Sequence, residues 1–188
     1  MNPLVSIHDK VFGLVETAGT WLLPLLARFT FAAVLLIYYW NSGLTKLGDG
    51  ILGLFSPSIG AYSQIFPKQL EAVGYDVSQL GLYHWAVVMA GTFAEFILPL
   101  LIVIGLFTRL ASLGMIGFVV VQSLTDIYGH GATDLATLGA WFDNQASGVI
   151  MDQRLFWVFT LGILVIRGAG ALSVDALLRN RAQSAAMA

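Results

Sequence analysis

Residues 83–107, YHWAVVMAGTFAEFILPLLIVIGLF, decide the fold of this chain. A helix needs roughly 20 apolar residues to cross a hydrocarbon core of about 30 Å, and this run is longer than that. It contains one charge, Glu95, and comparable runs cover residues 21–40, 109–128 and 155–172. The sequence therefore predicts an all-α fold, a four-helix transmembrane bundle with long extracytoplasmic loops, as a single domain over residues 1–188.

The composition agrees with a chain that lies in a lipid bilayer. Hydrophobic residues make up 57% of the sequence and charged residues only 11%, with a mean hydropathy of +0.80. Soluble domains carry about 25% charged residues, so this chain is too apolar for a water-facing surface. The net charge of −2 gives no electrostatic reason for nucleic acid as a partner. The sequence has no cysteine, which excludes disulfides and thiolate metal sites within it.

The segments between the spans differ in length. Residues 105–109 are a tight turn that makes the second and third spans antiparallel neighbours. Residues 41–82 and 129–154 are long, and we expect the first to pack over the bundle, with a short helix within 67–79, because long apolar loops are seldom free coil. The apolar spacing within residues 1–20 predicts a short amphipathic helix on the membrane surface before the first span, and the alternative is an ordinary tail.

Proline and basic residues suggest where the first span begins and how the chain is oriented. Pro24 suits the first turn of a helix, which predicts a start near Leu22. Lys and Arg near span ends are enriched on the cytoplasmic side of membrane proteins. With both termini cytoplasmic, that side carries Lys10, Arg109, Arg167, Arg179 and Arg181. We therefore predict a multi-pass protein with both termini in the cytoplasm.

Two charges within the spans are the candidate catalytic residues. Arg28 lies in the first predicted span and Glu95 near the middle of the second. A charge at such depth costs at least about 2.5 kcal/mol, so it usually has a partner or faces a polar cavity. We predict that Arg28 and Glu95 pair. The alternatives are that Arg28 extends back to the membrane surface and that Glu95 is a lone proton-accepting group.

Polar residues near the span ends are the other candidates. Ligand-binding candidates are Tyr38, Tyr39, Asn41, Lys46 and Arg109. The first four could hydrogen-bond a carbonyl or an anion, while Arg109 is favoured as an anchor at the turn. His84, Asp126 and His130 are weak metal candidates, since imidazole and carboxylate can ligate iron, copper or zinc. Their spacing matches no metal motif, and an ordinary polar interface is favoured.

Three stretches resemble the DoxX family of small bacterial membrane proteins. The first joins Leu26-Ala27-Arg28 to residues 41–47, NSGLTKL. The second is Glu95 followed by residues 104–111, IGLFTRLA. The third is residues 167–175, RGAGALSVD, where Ala169 replaces a frequent proline. Together they cover most of the chain in the order seen in that family.

The resemblance implies a multi-pass protein of the bacterial inner membrane with a link to redox chemistry. Relatives include a thiosulfate:quinone oxidoreductase subunit, so the resemblance implies a quinone-linked or redox-complex component, with quinone as a candidate ligand. Implied partners are soluble redox enzymes, a second membrane subunit or further copies of the chain. The alternatives are a permease for a small solute or a metal–metallophore species, and a non-catalytic membrane anchor for soluble redox enzymes.

Overall fold

The computed structural model describes residues 2–187, and the regular secondary structure in this part of the chain is all helical, with no strand. Four helices are long and apolar enough to cross a membrane: α1 (Pro3–Lys46), α4 (Leu82–Ile104), α5 (Thr108–Gly129) and α7 (Val149–Arg167). The shorter helices are α2 (Ile59–Ile65), α3 (Pro67–Ala72), α6 (Leu135–Leu138) and α8 (Val174–Ala186). The predicted all-α fold with four apolar spans is confirmed.

The four long helices pack into one bundle. Helix α4 packs against α5, α5 against α7, α7 against α1, and α1 against α4. The largest fully buried side chains between them are Phe31, Tyr39, Ile102, Met115, Leu161 and Leu164. Many other large apolar residues of the spans are exposed on the outside of the bundle. This outward apolar surface matches hydrocarbon, because water would not solvate it at low cost.

Helix α1 differs from the prediction at both ends. It begins at Pro3 and runs without a break to Lys46, so residues 3–20 are helical as predicted but do not form a helix separate from the first span. Pro24 lies inside the helix, buried against Gly170, and does not mark the start of a span. A single proline removes one backbone hydrogen bond, and the helix formers around it carry the helix through.

The turn between α4 and α5 is as tight as predicted. Gly105 ends α4 with φ +72°, and Phe107 adopts φ +47° just before α5. The Asp175 carboxylate accepts hydrogen bonds from the backbone N–H groups of Phe107 (2.8 Å) and Thr108 (3.0 Å), so it caps α5. Burial opposes ionisation of Asp175, but these bonds and the positive charge of Arg179 outweigh it and lower its pKa. The end of the bundle that contains this turn is called the turn end below.

The opposite end carries the segments that were predicted as long loops. Residues 47–81, called the lid, fold into α2, α3 and two short 3₁₀ turns. Tyr62 and Leu70 of the lid pack with Val88 of α4 in a second apolar cluster, which confirms that this segment packs on the bundle. Residues 130–148 contain only α6, and Trp141 and Phe142 are exposed beyond it.

Candidate functional site

Glu95 is paired with Lys46, not with Arg28 as predicted. The Lys46 Nζ lies 2.9 Å from Glu95 Oε2 and 3.0 Å from Oε1, and both side chains are buried. Ser42 completes the group: its hydroxyl donates to Glu95 Oε1 at 3.0 Å and lies 2.8 Å from Lys46 Nζ. Lys46, which was a ligand-binding candidate near the end of the first span, is therefore the counter-ion of the glutamate in the middle of α4.

Close packing between α1 and α4 brings this pair together. At Gly43 a Cβ would lie 2.7 Å from the ring of Phe96, so only glycine lets that ring sit against α1. One turn earlier, Trp40 Nε1 donates to the carbonyl of Phe96 at 3.2 Å. Ser42 and Lys46 are four residues apart and therefore lie on one face of α1, the face toward Glu95.

Arg28 occupies the turn end of the bundle, where it binds backbone. Its guanidinium donates to the carbonyls of Ile102 and Val103 in the last turn of α4, and to those of Ala169 and Leu172 after α7. These carbonyls include ones left without partners where helices end. Arg28 therefore holds three chain segments together. The predicted pair with Glu95 is wrong because Arg28 lies at the end of the spans, not at the depth of the glutamate.

The Lys46–Glu95 pair lines a cleft of about 430 Å³ between α4 and α5. The walls are largely apolar, and small side chains leave the space of the cleft open, among them Ala90, Gly91, Ala94, Gly114 and Gly117. Toward the lid, the cleft is bounded by Gln64, Gln122, Asp126 and His130. Ala90, Gly117 and Val121 are exposed although they lie within the spans, so the cleft opens sideways toward lipid.

The two tyrosine candidates lie beside the cleft and not in its lining. Tyr39 is fully buried and donates to Gln122 Oε1 at 3.3 Å, while Gln122 Nε2 donates to the hydroxyl of Tyr38 at 3.2 Å. Gln122 itself lines the cleft, so the tyrosines fix the orientation of a cleft residue. Asn41 is exposed on α1, and Arg109 is exposed at the turn end near Gly168. The structure thus separates Arg109 from the other ligand-binding candidates.

The three weak metal candidates lie in different settings. Asp126 accepts from Arg154 at 2.6 Å, and His130 Nε2 lies 3.0 Å from the carbonyl oxygen of Gln64. His84 packs its ring against Phe66, 4.9 Å between centroids. Within residues 2–187, no three His, Cys, Asp or Glu side chains are grouped closely enough to hold a metal ion.

Sequence reasoning missed Ser42, Gln122 and Arg154. Ser42 had a signal, because it precedes Lys46 by one helical turn. Gln122 also had one, as a polar residue within an apolar run. Arg154 was counted as a loop residue, yet it is buried and donates to Ser123 at 2.9 Å as well as to Asp126. Its place at the very start of an apolar run is the signal that could have marked it.

A comparison with protein families identifies the chain. A sequence profile of the DoxX family matches residues 23–125, more than half of the chain. The chain belongs to the DoxX family. The matched stretch contains Arg28, Lys46 and Glu95, whereas the third DoxX-like motif, residues 167–175, lies outside it. No curated protein and no solved structure was found to match this DoxX protein.

Proposed function

We propose that this DoxX protein is a quinone-linked component of a redox system in the bacterial inner membrane. The observation that carries the proposal is the buried Lys46–Glu95 pair, which lines an apolar cleft open toward lipid. Intramembrane charges are expensive and are usually retained for function. A water-soluble substrate would have no reason to enter through the hydrocarbon, whereas a lipid-soluble molecule with a polar head would.

The cleft fits the shape and chemistry of a quinone head. Its volume of about 430 Å³ falls within the range of roughly 300–1,000 Å³ that is usual for small-molecule sites. Apolar lining residues such as Leu98 and Phe118 can pack against a ring, and the polar groups that could meet a ring oxygen lie at two places. Lys46 and Ser42 stand beside Glu95, and Gln122 stands nearer the lid. An isoprenoid tail would leave past Ala90 and Gly117.

The proposed roles of the chain's own residues follow from their contacts. Lys46 Nζ donates a hydrogen bond to the ligand oxygen while its charge stays balanced by the Glu95 carboxylate 2.9 Å away. Glu95 holds or releases a proton at Oε1 or Oε2, and Ser42 hydrogen-bonds Oε1. A quinone, when bound, accepts two electrons and two protons to become a quinol. The sequence has no cysteine, so we assign the electron donor to a soluble redox enzyme or a second membrane subunit.

Binding measurements on the protein in lipid nanodiscs test the proposal. A short-tailed ubiquinone and a short-tailed menaquinone are titrated against intrinsic tryptophan fluorescence, and native mass spectrometry reports any quinone that copurifies. Gly117→Phe fills the cleft, because nothing lies within 4 Å of a Cβ at Gly117. Gly162→Phe is the matched control, since a Cβ there also meets nothing within 4 Å and Gly162 lies on α7 outside the cleft.

We expect the wild type to bind quinone saturably. Gly117→Phe should weaken the affinity by at least about tenfold, which corresponds to about 1.4 kcal/mol, whereas Gly162→Phe should leave the affinity unchanged. Lys46→Met is expected to weaken it as well. Equal affinity in Gly117→Phe and the wild type would contradict the cleft as the site. Absence of binding together with solute uptake into proteoliposomes would favour the permease, and binding of a soluble redox enzyme alone would favour the anchor.

The permease has less support from the packing at the turn end. Beyond Glu95 the bundle is filled by Phe31, Ile102, Met115 and Leu164, all essentially fully buried. The Arg28 bonds close this half of the protein by tying α1, α4 and the segment after α7 together. A solute would need these contacts to open before it could pass from the cleft to the other side.

A further inference from the structure

The chain leaves α1 through an exposed apolar segment before it enters the helices of the lid. Residues 48–55, GDGILGLF, are called the apolar loop here. Its side chains point outward: Ile51 is 90% exposed, Leu52 is 79% exposed, and Leu54 and Phe55 are also exposed. Asp49 is the only charge in the loop. Four large apolar side chains on one short loop form a patch that water would not leave uncovered at low cost.

The backbone of the apolar loop has a fixed conformation. Gly48 N donates to the Gly53 carbonyl at 3.1 Å, Gly53 N to the Gly50 carbonyl at 3.0 Å, and Phe55 N to the Leu52 carbonyl at 2.9 Å. A Cβ at Gly48 or Gly53 would overlap backbone atoms, and Gly50 has φ +69°. The glycines are therefore required by the loop, and at least three of its backbone N–H groups are bonded within it.

The apolar loop lies beside the span and not beyond its end. The ring of Phe55 is 6.4 Å from the ring of Phe93, which stands in the middle of the 23-residue helix α4. Trp85 Nε1, in the first turn of α4, donates to the Phe55 carbonyl at 3.1 Å. The contact with Phe93 places the Phe55 ring at the depth of the span, while the bond from Trp85 holds the Phe55 carbonyl near the start of α4.

We propose that the apolar loop inserts into the lipid of the leaflet at the lid end and anchors the lid there. Acyl chains are the occupant that the surroundings favour, because the loop continues the lipid-facing surface of α1 and α4. Only the side chains enter the acyl chains, while the backbone of the loop stays at the depth of Trp85, because irregular backbone exposed to lipid is not tolerated within the hydrocarbon. Asp49 then lies at the headgroups, and the Trp85 ring lies at the interface where indoles are enriched.

Spin labelling tests this proposal directly, because the sequence has no cysteine that must first be removed. Leu52→Cys is labelled in the full chain in nanodiscs, and Gln69→Cys on the exposed surface of α3 is the matched control. Collision rates are measured with oxygen, which concentrates in lipid, and with a water-soluble nickel chelate. We expect the oxygen-to-nickel ratio at position 52 to exceed that at position 69 several-fold, because oxygen partitions into hydrocarbon whereas the polar chelate stays in water.

A second labelled position controls for the case in which the spin label itself disturbs the loop. Ile51→Cys should give the same high ratio, and adding Gly53→Ala should lower it, because the added Cβ opens the loop. Equal ratios at positions 51, 52 and 69 would overturn the proposal. A label at position 52 that is shielded from both oxygen and nickel would also overturn it, since that result means a protein partner covers the loop.

Discussion

The Lys46–Glu95 pair gives the sharpest test of the structure. Both charged groups are buried, and the ammonium lies 2.9 Å and 3.0 Å from the two carboxylate oxygens. Removing one partner of a buried pair leaves an uncompensated charge, which typically costs about 3–5 kcal/mol of unfolding free energy. We therefore expect Lys46→Met and Glu95→Leu each to lower the stability by about that amount.

The double variant should be more stable than the two losses predict. Replacing both charges by apolar groups removes the desolvation cost along with the attraction, so it is often nearly neutral. We expect the double variant to cost no more than either single variant, so the coupling energy between the positions should be at least about 3 kcal/mol, the top of the range seen for residues in contact. Glu95→Gln should resemble Glu95→Leu in stability, because the amide still strands the Lys46 cation. Ser42→Ala should cost less, about 1 kcal/mol, as one neutral donor is lost.

Unfolding free energies can be measured in mixed micelles by titrating a denaturing detergent against a mild one. Two control cycles accompany the measurement. Lys68→Met with Glu71→Leu, both exposed on α3, should change the stability by less than about 0.5 kcal/mol each. Arg28→Leu with Glu95→Leu should be additive within about 0.5 kcal/mol, because their side chains have no shared partner. Additivity for Lys46 and Glu95, or coupling between Arg28 and Glu95, would refute the reasoning.

Three further predictions concern the turn end and the orientation. Arg28→Met should cost at least about 3 kcal/mol, because it removes four hydrogen bonds from a charged donor and such bonds contribute about 1.5–3 kcal/mol each. Arg28→Lys should recover less than half of the loss, since an ammonium lacks the planar fork, and a full rescue in thermal unfolding would contradict this. The pKa of Asp175 is lowered in the folded state, so its carboxylate stabilises the fold above about pH 4, and this contribution is lost as the pH falls through the folded pKa. In unfolding curves measured from pH 7 to pH 3, the difference in stability between the wild type and Asp175→Asn should therefore shrink below about pH 4. The distribution of Lys and Arg implies that reporter fusions after Arg109 and at the C-terminus are cytoplasmic and that a fusion after Gly129 is periplasmic. A periplasmic reporter at the C-terminus would contradict the predicted orientation.

The sequence by itself was sufficient for the spans, the turn and the family. Hydropathy is a local property that adds up along one helix, so four apolar runs identify four spans without knowledge of their neighbours. Gly105 and the short stretch to Thr108 likewise specify a tight turn locally. The packing of the lid was also predictable, because its apolar residues recur too often for a free loop. The DoxX-like motifs of residues 26–111 lie within the stretch that the family profile matches.

Only the tertiary structure decided which charges meet. The first span was predicted to end at residue 40, but α1 continues to Lys46, a difference of six residues or about 9 Å along the helix. That shift moves Arg28 to the end of the bundle and brings Lys46 to the depth of Glu95. Hydropathy does not predict how far one helix is shifted along its axis relative to its neighbour. The register here follows from the packing of Phe96 on Gly43 and from the bonds of Arg28 to Ile102 and its neighbours, which are contacts between distant parts of the chain.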